Sequence, residues 1–127
     1  MSCQGRAMRR ILLLCLMLAS PAYAQDFAVR GTDTQPDAAA LATQIHDRDL
    51  IYFDDGISRY NADGTYAWTY SEVNGGGVWP GTYQITDNVI CITFESGAER
   101  CDMFVLSGDR LTLLTDDGQR YPVREIR

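Results

Sequence analysis

Thr65-Tyr-Ala-Trp-Thr-Tyr-Ser71, Asn74-Gly-Gly-Gly77, Val78-Trp-Pro-Gly-Thr-Tyr-Gln-Ile-Thr86, Asp87-Asn88 and Val89-Ile-Cys-Ile-Thr-Phe94 follow one another almost without interruption. This stretch decides the fold. In its first run Tyr66, Trp68 and Tyr70 fall on one face, with Ala67 and Thr69 on the other. In its second, Trp79, Gly81, Tyr83 and Ile85 share a face. A period of two is the signature of a strand, since successive side chains point to opposite sides. Aromatic and β-branched residues suit that pleated surface. The Asn, Asp and Gly between the runs supply the backbone conformations that tight turns require.

The same pattern extends in both directions. Leu50 to Phe53 is followed by Asp54-Asp55-Gly56, and Ile57 to Tyr60 by Asn61-Ala-Asp-Gly64. Ser107-Gly108-Asp109 and Asp116-Asp117-Gly118 separate the last strands, which end at Ile126. About eight short strands on tight turns predict an all-β, antiparallel up-and-down meander. Such a meander leaves exposed edges unless it closes, and closure at eight strands leaves room for side chains or one small ligand. The expectation is a small barrel or half-barrel, with a flat sandwich as the alternative. Upstream, Thr34-Gln-Pro-Asp37 reads as a helix start capped by Thr34. Ala38, Leu41, Ala42 and Ile45 then form an apolar stripe at helical spacing. One short N-terminal helix over residues 35–46 is predicted, packed on the sheet as a lid or plug.

Cys91 and Cys101 sharpen this picture. With Glu95-Ser96-Gly97 as a three-residue loop, Gly97 falls where a left-handed residue is needed, and Cys91 lands opposite Cys101 at a bridgeable separation. One disulfide is expected. The register raises a conflict of faces, however. The apolar side of 89–94 is Ile90, Ile92 and Phe94, away from the cysteines, whereas 101–106 offers Met103 and Val105 on the cysteine side and Phe104 and Leu106 on the other. Either both faces are partly covered or a bulge shifts the register.

The first residues predict export. Arg6, Arg9 and Arg10 precede the apolar run Ile11–Ala19, and Ala22-Tyr23-Ala24 provides small residues for a signal peptidase. As a helix that run spans about 13 Å, short of the roughly 30 Å bilayer core. Residues 1–24 are read as a cleaved signal peptide, 25–33 as a flexible lead-in and 34–127 as one domain. No cysteine follows the cleavage point to carry a lipid, so no membrane anchoring is expected after cleavage. Arg9-Arg10 gives a weaker twin-arginine alternative. The expected location is the periplasm, where an even pair of cysteines oxidises.

Charge narrows the partners. The chain carries −6 with no lysine, and loss of the signal removes three arginines and no acid. So acidic a surface repels nucleic acid and anionic lipid. Catalytic signals are weak. His46 is the only histidine, no G-x-S-x-G elbow is present, and no carboxylate pair stands out. The acid-glycine turns invite a calcium reading, but at the Gly64 turn the first ligand position is Arg59 and the twelfth Tyr70. No enzyme, metal or cofactor is expected.

What stands out is the crowding of Tyr52, Phe53, Tyr60, Tyr66, Trp68, Tyr70, Trp79 and Tyr83 around a glycine loop. Aromatic faces stack on sugar rings or hold small apolar ligands, though they also fill barrels. Tyr66, Trp68, Tyr70 and Trp79 are the candidate ligand-binding residues. The set Tyr60-x-x-Asp63-Gly64-Thr65, Gly81-x-Tyr83, Ile90-Cys91, Cys101 and Gly108-Asp109 resembles a family of small exported proteobacterial proteins of unknown function. The resemblance covers about residues 38–120. It implies a lipocalin-like curled sheet and an exported protein, not an activity. Tyr83 stands where that family commonly has tryptophan, and Asp102 where an aromatic often follows the second cysteine. The functional expectation is a periplasmic binding or interaction module for an unknown small ligand or a basic envelope protein. The alternatives are a structural or stress-related envelope protein with no pocket, and a small hydrolase or lysozyme-inhibitor-like protein.

Overall fold

Each alternating run is a strand in the computed structural model, which describes residues 26–127. The signal-peptide reading of residues 1–24 lies outside the described residues. In chain order the elements are β1 (Asp33–Thr34), α1 (Ala38–Ile45), β2 (Asp49–Tyr52), β3 (Ile57–Tyr60), β4 (Thr65–Thr69), β5 (Val78–Thr86), β6 (Val89–Phe94), β7 (Glu99–Ser107), β8 (Arg110–Thr115) and β9 (Arg120–Ile126). Strands β2 to β9 pair antiparallel in sequence, and β9 returns to β2. The result is a closed eight-stranded up-and-down barrel, with β1 added beside β7. The closing pair runs Leu50 with Ile126 and Ile51 with Glu125, then shifts register so that Tyr52 meets Val123. Such an irregularity bends a strand and increases its twist, which helps a sheet close.

The cysteine hairpin has the predicted register. Cys91 lies opposite Cys101, the two are bonded, and Gly97 adopts φ 89°. The conflict of faces resolves in favour of two covered faces. Ile90, Ile92, Phe104 and Leu106 belong to the barrel interior with Leu50, Tyr60, Tyr66, Leu111, Leu113 and Val123. Val105 and Leu114 point outward yet are completely buried. Residues 26–34 run along this flank. Asp26 N–H donates to the Asp116 carbonyl, β1 pairs with Ser107 and Leu106, and Arg120 grips both the Ala28 carbonyl and the Asp33 carboxylate. Residues 26–33 of the lead-in expected to be flexible are tied down by these hydrogen bonds and run into β1.

The helix corrects the sequence reading. It starts at Ala38, not residue 35, and its cap is Asp37, whose Oδ1 accepts from the Ala40 N–H at 2.8 Å. Thr34 cannot cap because it pairs with Leu106 in the sheet. Pro36 falls before the cap, and Asp37 itself is extended, with ψ 173°. Leu41 and Ile45 are buried in the core cluster. They close the barrel end that carries the turns at 61–64, 87–88 and 108–109. There Tyr83 Oη donates to the Asn61 carbonyl at 2.6 Å, and Asn88 Nδ2 donates to the Phe104 carbonyl at 2.9 Å. His46 caps the helix C-terminus and bridges to Tyr60. Among the described residues, no helix is long and apolar enough to cross a membrane.

Candidate ligand-binding mouth

The opposite end carries the turns at 53–56, 70–77, 95–98 and 116–119, with a single 3-10 turn at Glu72–Asn74, and among the described residues no α-helix covers it. Its walls follow from strand register. Trp68 and Trp79 are cross-strand partners on β4 and β5, and inward-facing positions next to the turns supply Tyr52, Phe94, Arg100, Thr115 and Tyr121. Two cavities of about 220 Å³ each open here. One is lined by Tyr52, Asp54, Trp68, Tyr70, Arg100, Leu113, Thr115 and Tyr121. The other is lined by Trp68, Tyr70, Trp79, Phe94, Ser96, Ala98 and Arg100. Trp68, Tyr70 and Arg100 belong to both.

The aromatic rings interlock edge to face. Trp68 and Tyr70 have centroids 5.6 Å apart at 89°, and Tyr70 and Trp79 6.4 Å apart at 86°. Tyr52 lies 5.8 Å from Trp68. Such pairs add about 0.5–1.5 kcal/mol beyond burial and fix ring orientation. Gly56 permits this placement: a Cβ there would sit 2.6 Å from the Trp68 indole. At the mouth's rim Phe53, Val73, Val78, Trp79 and Tyr121 are exposed beside the turn acids Asp54, Asp55, Glu72, Glu95, Asp116 and Asp117.

Beneath the aromatics lies a polar floor. Arg100 Nε donates to Asp102 Oδ2 at 2.9 Å, and Arg100 Nη2 donates to Tyr66 Oη at 3.3 Å. Ser58 Oγ is also 3.3 Å from Tyr66 Oη, and the guanidinium lies 5.7 Å from the Phe94 centroid. Asp102 is wholly buried. Tyr52 Oη, Tyr60 Oη and Asp102 Oδ1 have no hydrogen-bond partner among the described residues. Burial pushes all three phenols, Tyr52, Tyr60 and Tyr66, above the usual tyrosine range, so at neutral pH they are protonated donors. Burial also raises the Asp102 carboxyl, against the opposing pull of Arg100. For Arg100 burial disfavours the charge, but adjacent Asp102 more than offsets this and keeps it protonated.

The four aromatic candidates divide by depth. Trp68 is half-buried and Tyr70 and Trp79 are 42% and 49% exposed, all three at the mouth. Tyr66 is in the core, where its hydroxyl supports Arg100. Arg100 and Asp102 were missed by sequence reasoning. Their signal was available: they flank Cys101 on the face that carries Phe104 and Leu106, an inward side with two charges on it. The turn acids serve their own turns. Asp54 Oδ1 accepts from the Gly56 N–H, and Asp63 Oδ1 from the Thr65 N–H and hydroxyl. Fold and site together define a small up-and-down β-barrel with one plugged end and one open aromatic mouth. No family model, curated protein or solved structure matches the chain.

Proposed function

We propose that this domain is an exported binding module that takes a small ligand into the open mouth. The observation that carries the reading is the asymmetry of the two ends. Leu41 and Ile45 fill one, where the space of about 450 Å³ is a groove with charged Asp109, Arg110, Arg124 and Glu125 in its lining, while Trp68, Tyr70, Trp79 and Arg100 stand around aromatic-walled cavities at the other. An apolar pocket with a few convergent polar groups is the general form of a small-molecule site. The resemblance to a family of exported proteins is part of the same proposal, as is a periplasmic location. The Cys91–Cys101 bond suits an oxidising compartment. Binding is favoured over catalysis because His46 sits at the plugged end, away from Arg100.

The test uses N-phenyl-1-naphthylamine, an uncharged dye that brightens in apolar sites. The domain should enhance its fluorescence saturably, and Trp68→Ala or Tyr70→Ser should abolish the enhancement while leaving far-ultraviolet circular dichroism intact. Enhancement that survives both substitutions, or none in the parent protein, contradicts the proposal.

A further inference from the structure

The floor of the mouth constrains the charge of what can bind there. Arg100 and Asp102 face inward at alternate positions of β7, one step apart in depth, in direct contact at 2.9 Å. One cation and one anion leave the floor without net charge. Tyr52 and Tyr60, protonated phenols each at least 97% buried, and Asp102 Oδ1 have no hydrogen-bond partner among the described residues. Tyr52 also lines the cavity that Arg100 enters. The phenol oxygens are fully covered, so the polar group that an arriving head group reaches is the Arg100 guanidinium, a third of whose side chain is exposed.

Consider three head groups at this place. An anion would meet Arg100, but also the Asp102 carboxylate held against it, whose Oδ1 is unpartnered. A cation would meet Asp102 only from behind the guanidinium, and the carboxylate on the cavity wall, Asp54, already accepts from the Gly56 N–H through Oδ1. A neutral carbonyl or hydroxyl oxygen accepts from Arg100 and leaves the ion pair intact. The walls specify the rest of the ligand. Trp68 and Tyr70 stand perpendicular and offer a ring face and a ring edge. A volume of about 220 Å³ lies below the roughly 300–1,000 Å³ of drug-sized pockets, which limits the body to a single ring with a short arm.

We infer that the mouth takes an uncharged single-ring ligand whose carbonyl or hydroxyl oxygen points inward at Arg100, with the ring against Trp68 and Tyr70. This rests on the mouth being the binding site. The chemistry is shared by a planar amide and by a sugar ring, and the experiment separates them. Cinnamamide, cinnamate and methyl β-glucoside are titrated at 0.15 M salt, where surface charge is screened beyond about 8 Å. The readout is the indole N–H resonances of Trp68 and Trp79, the only two tryptophans.

Cinnamamide or the glucoside should shift both resonances, with cinnamate at least about tenfold weaker. Which of the two uncharged probes binds identifies the ring type. In Asp102→Asn the amide keeps a hydrogen bond to Arg100 but leaves its charge uncompensated, so cinnamate should gain about tenfold over the parent. Should that variant fail to fold, the comparison among probes on the parent protein is decisive by itself. Cinnamate binding as well as or better than the neutral probes overturns the inference. So does a silent panel while the naphthylamine dye still binds, an outcome that leaves the mouth itself standing. Failure of the dye as well removes both.

Discussion

Replacing both Cys91 and Cys101 with alanine should lower stability by a calculable amount and leave the barrel folded. The bond joins residues 10 apart in sequence on neighbouring strands, so it closes a local hairpin and not the barrel. In the chain-entropy description a loop of that size contributes about 2.7 kcal/mol. Little else changes with the substitution. Cys91 is exposed and Cys101 half-buried on the outer face, so neither truncation opens a core cavity. The closing contacts of β2 with β9 lie elsewhere, and Tyr60, Phe104 and Leu114 stay fully buried. For a domain of roughly 100 residues, an unfolding entropy near 2.1 cal/mol/K per residue turns that loss into about 13 °C of melting temperature. Thermal unfolding followed by circular dichroism, with and without reductant on the parent, measures it directly. An unfolded double variant would show that the bond does more than restrict the unfolded hairpin. A shift under about 3 °C would show that the hairpin is already ordered in the denatured chain.

Other perturbations test other parts of the account. Leu41→Ala empties the centre of the plug and should cost about 2–5 kcal/mol by urea unfolding, whereas Ala39→Ser on the exposed side of α1 should stay within about 0.5 kcal/mol. Gly56→Ala places a methyl group 2.6 Å from the Trp68 indole, which must swing outward. The near-ultraviolet signal and dye affinity should change while far-ultraviolet ellipticity does not. Asp33 and Asp102 should depend on pH in opposite senses. The hydrogen bonds from Arg120, then from the Arg30 N–H, hold the Asp33 carboxyl below its ordinary 3.8, so its stabilisation is present above that pH and is lost as pH falls through the lower folded value. Asp102 is raised by burial, so its folded state binds the proton first and stability falls as pH rises from 3.8 through the raised value. Acid titration of unfolding should therefore show a smaller loss below pH 3.8 in Asp33→Asn, and a smaller loss on raising pH above it in Asp102→Asn.

Much of this molecule is legible in its sequence because its determinants are local. Hairpin turns are specified by the residues inside them, and a period of two survives in runs as short as Val89–Phe94. The spacing of Cys91, Gly97 and Cys101 therefore fixed a register that the structure bears out. What escaped reading depends on residues distant in the chain. Thr34 and Asp37 are both residue types that cap helices, but a pairing with Leu106, far along the chain, assigns Thr34 to the sheet. Val105 read as a rival for the interior because nothing local shows that residues 26–34 run along the outside of β7 to β9. Arg100 and Asp102 escaped for a related reason. A strand with charges on its inward face looks like a surface strand until closure of the barrel brings Tyr66 to Arg100. The candidate aromatics were visible as a cluster, but only the fold separates Tyr66 in the core from Trp79 at the rim.

Which end of the barrel is open decides where a ligand can enter. Nitrogen–proton correlation spectra recorded while the naphthylamine dye is added answer this residue by residue. Shifts should gather at residues 52–56, 68–79, 94–100 and 115–121, and leave 38–48, 61–64 and 87–88 in place. Shifts gathered instead around α1 and the turns beside it would contradict the account, because the plug and the mouth would then have been assigned to the wrong ends.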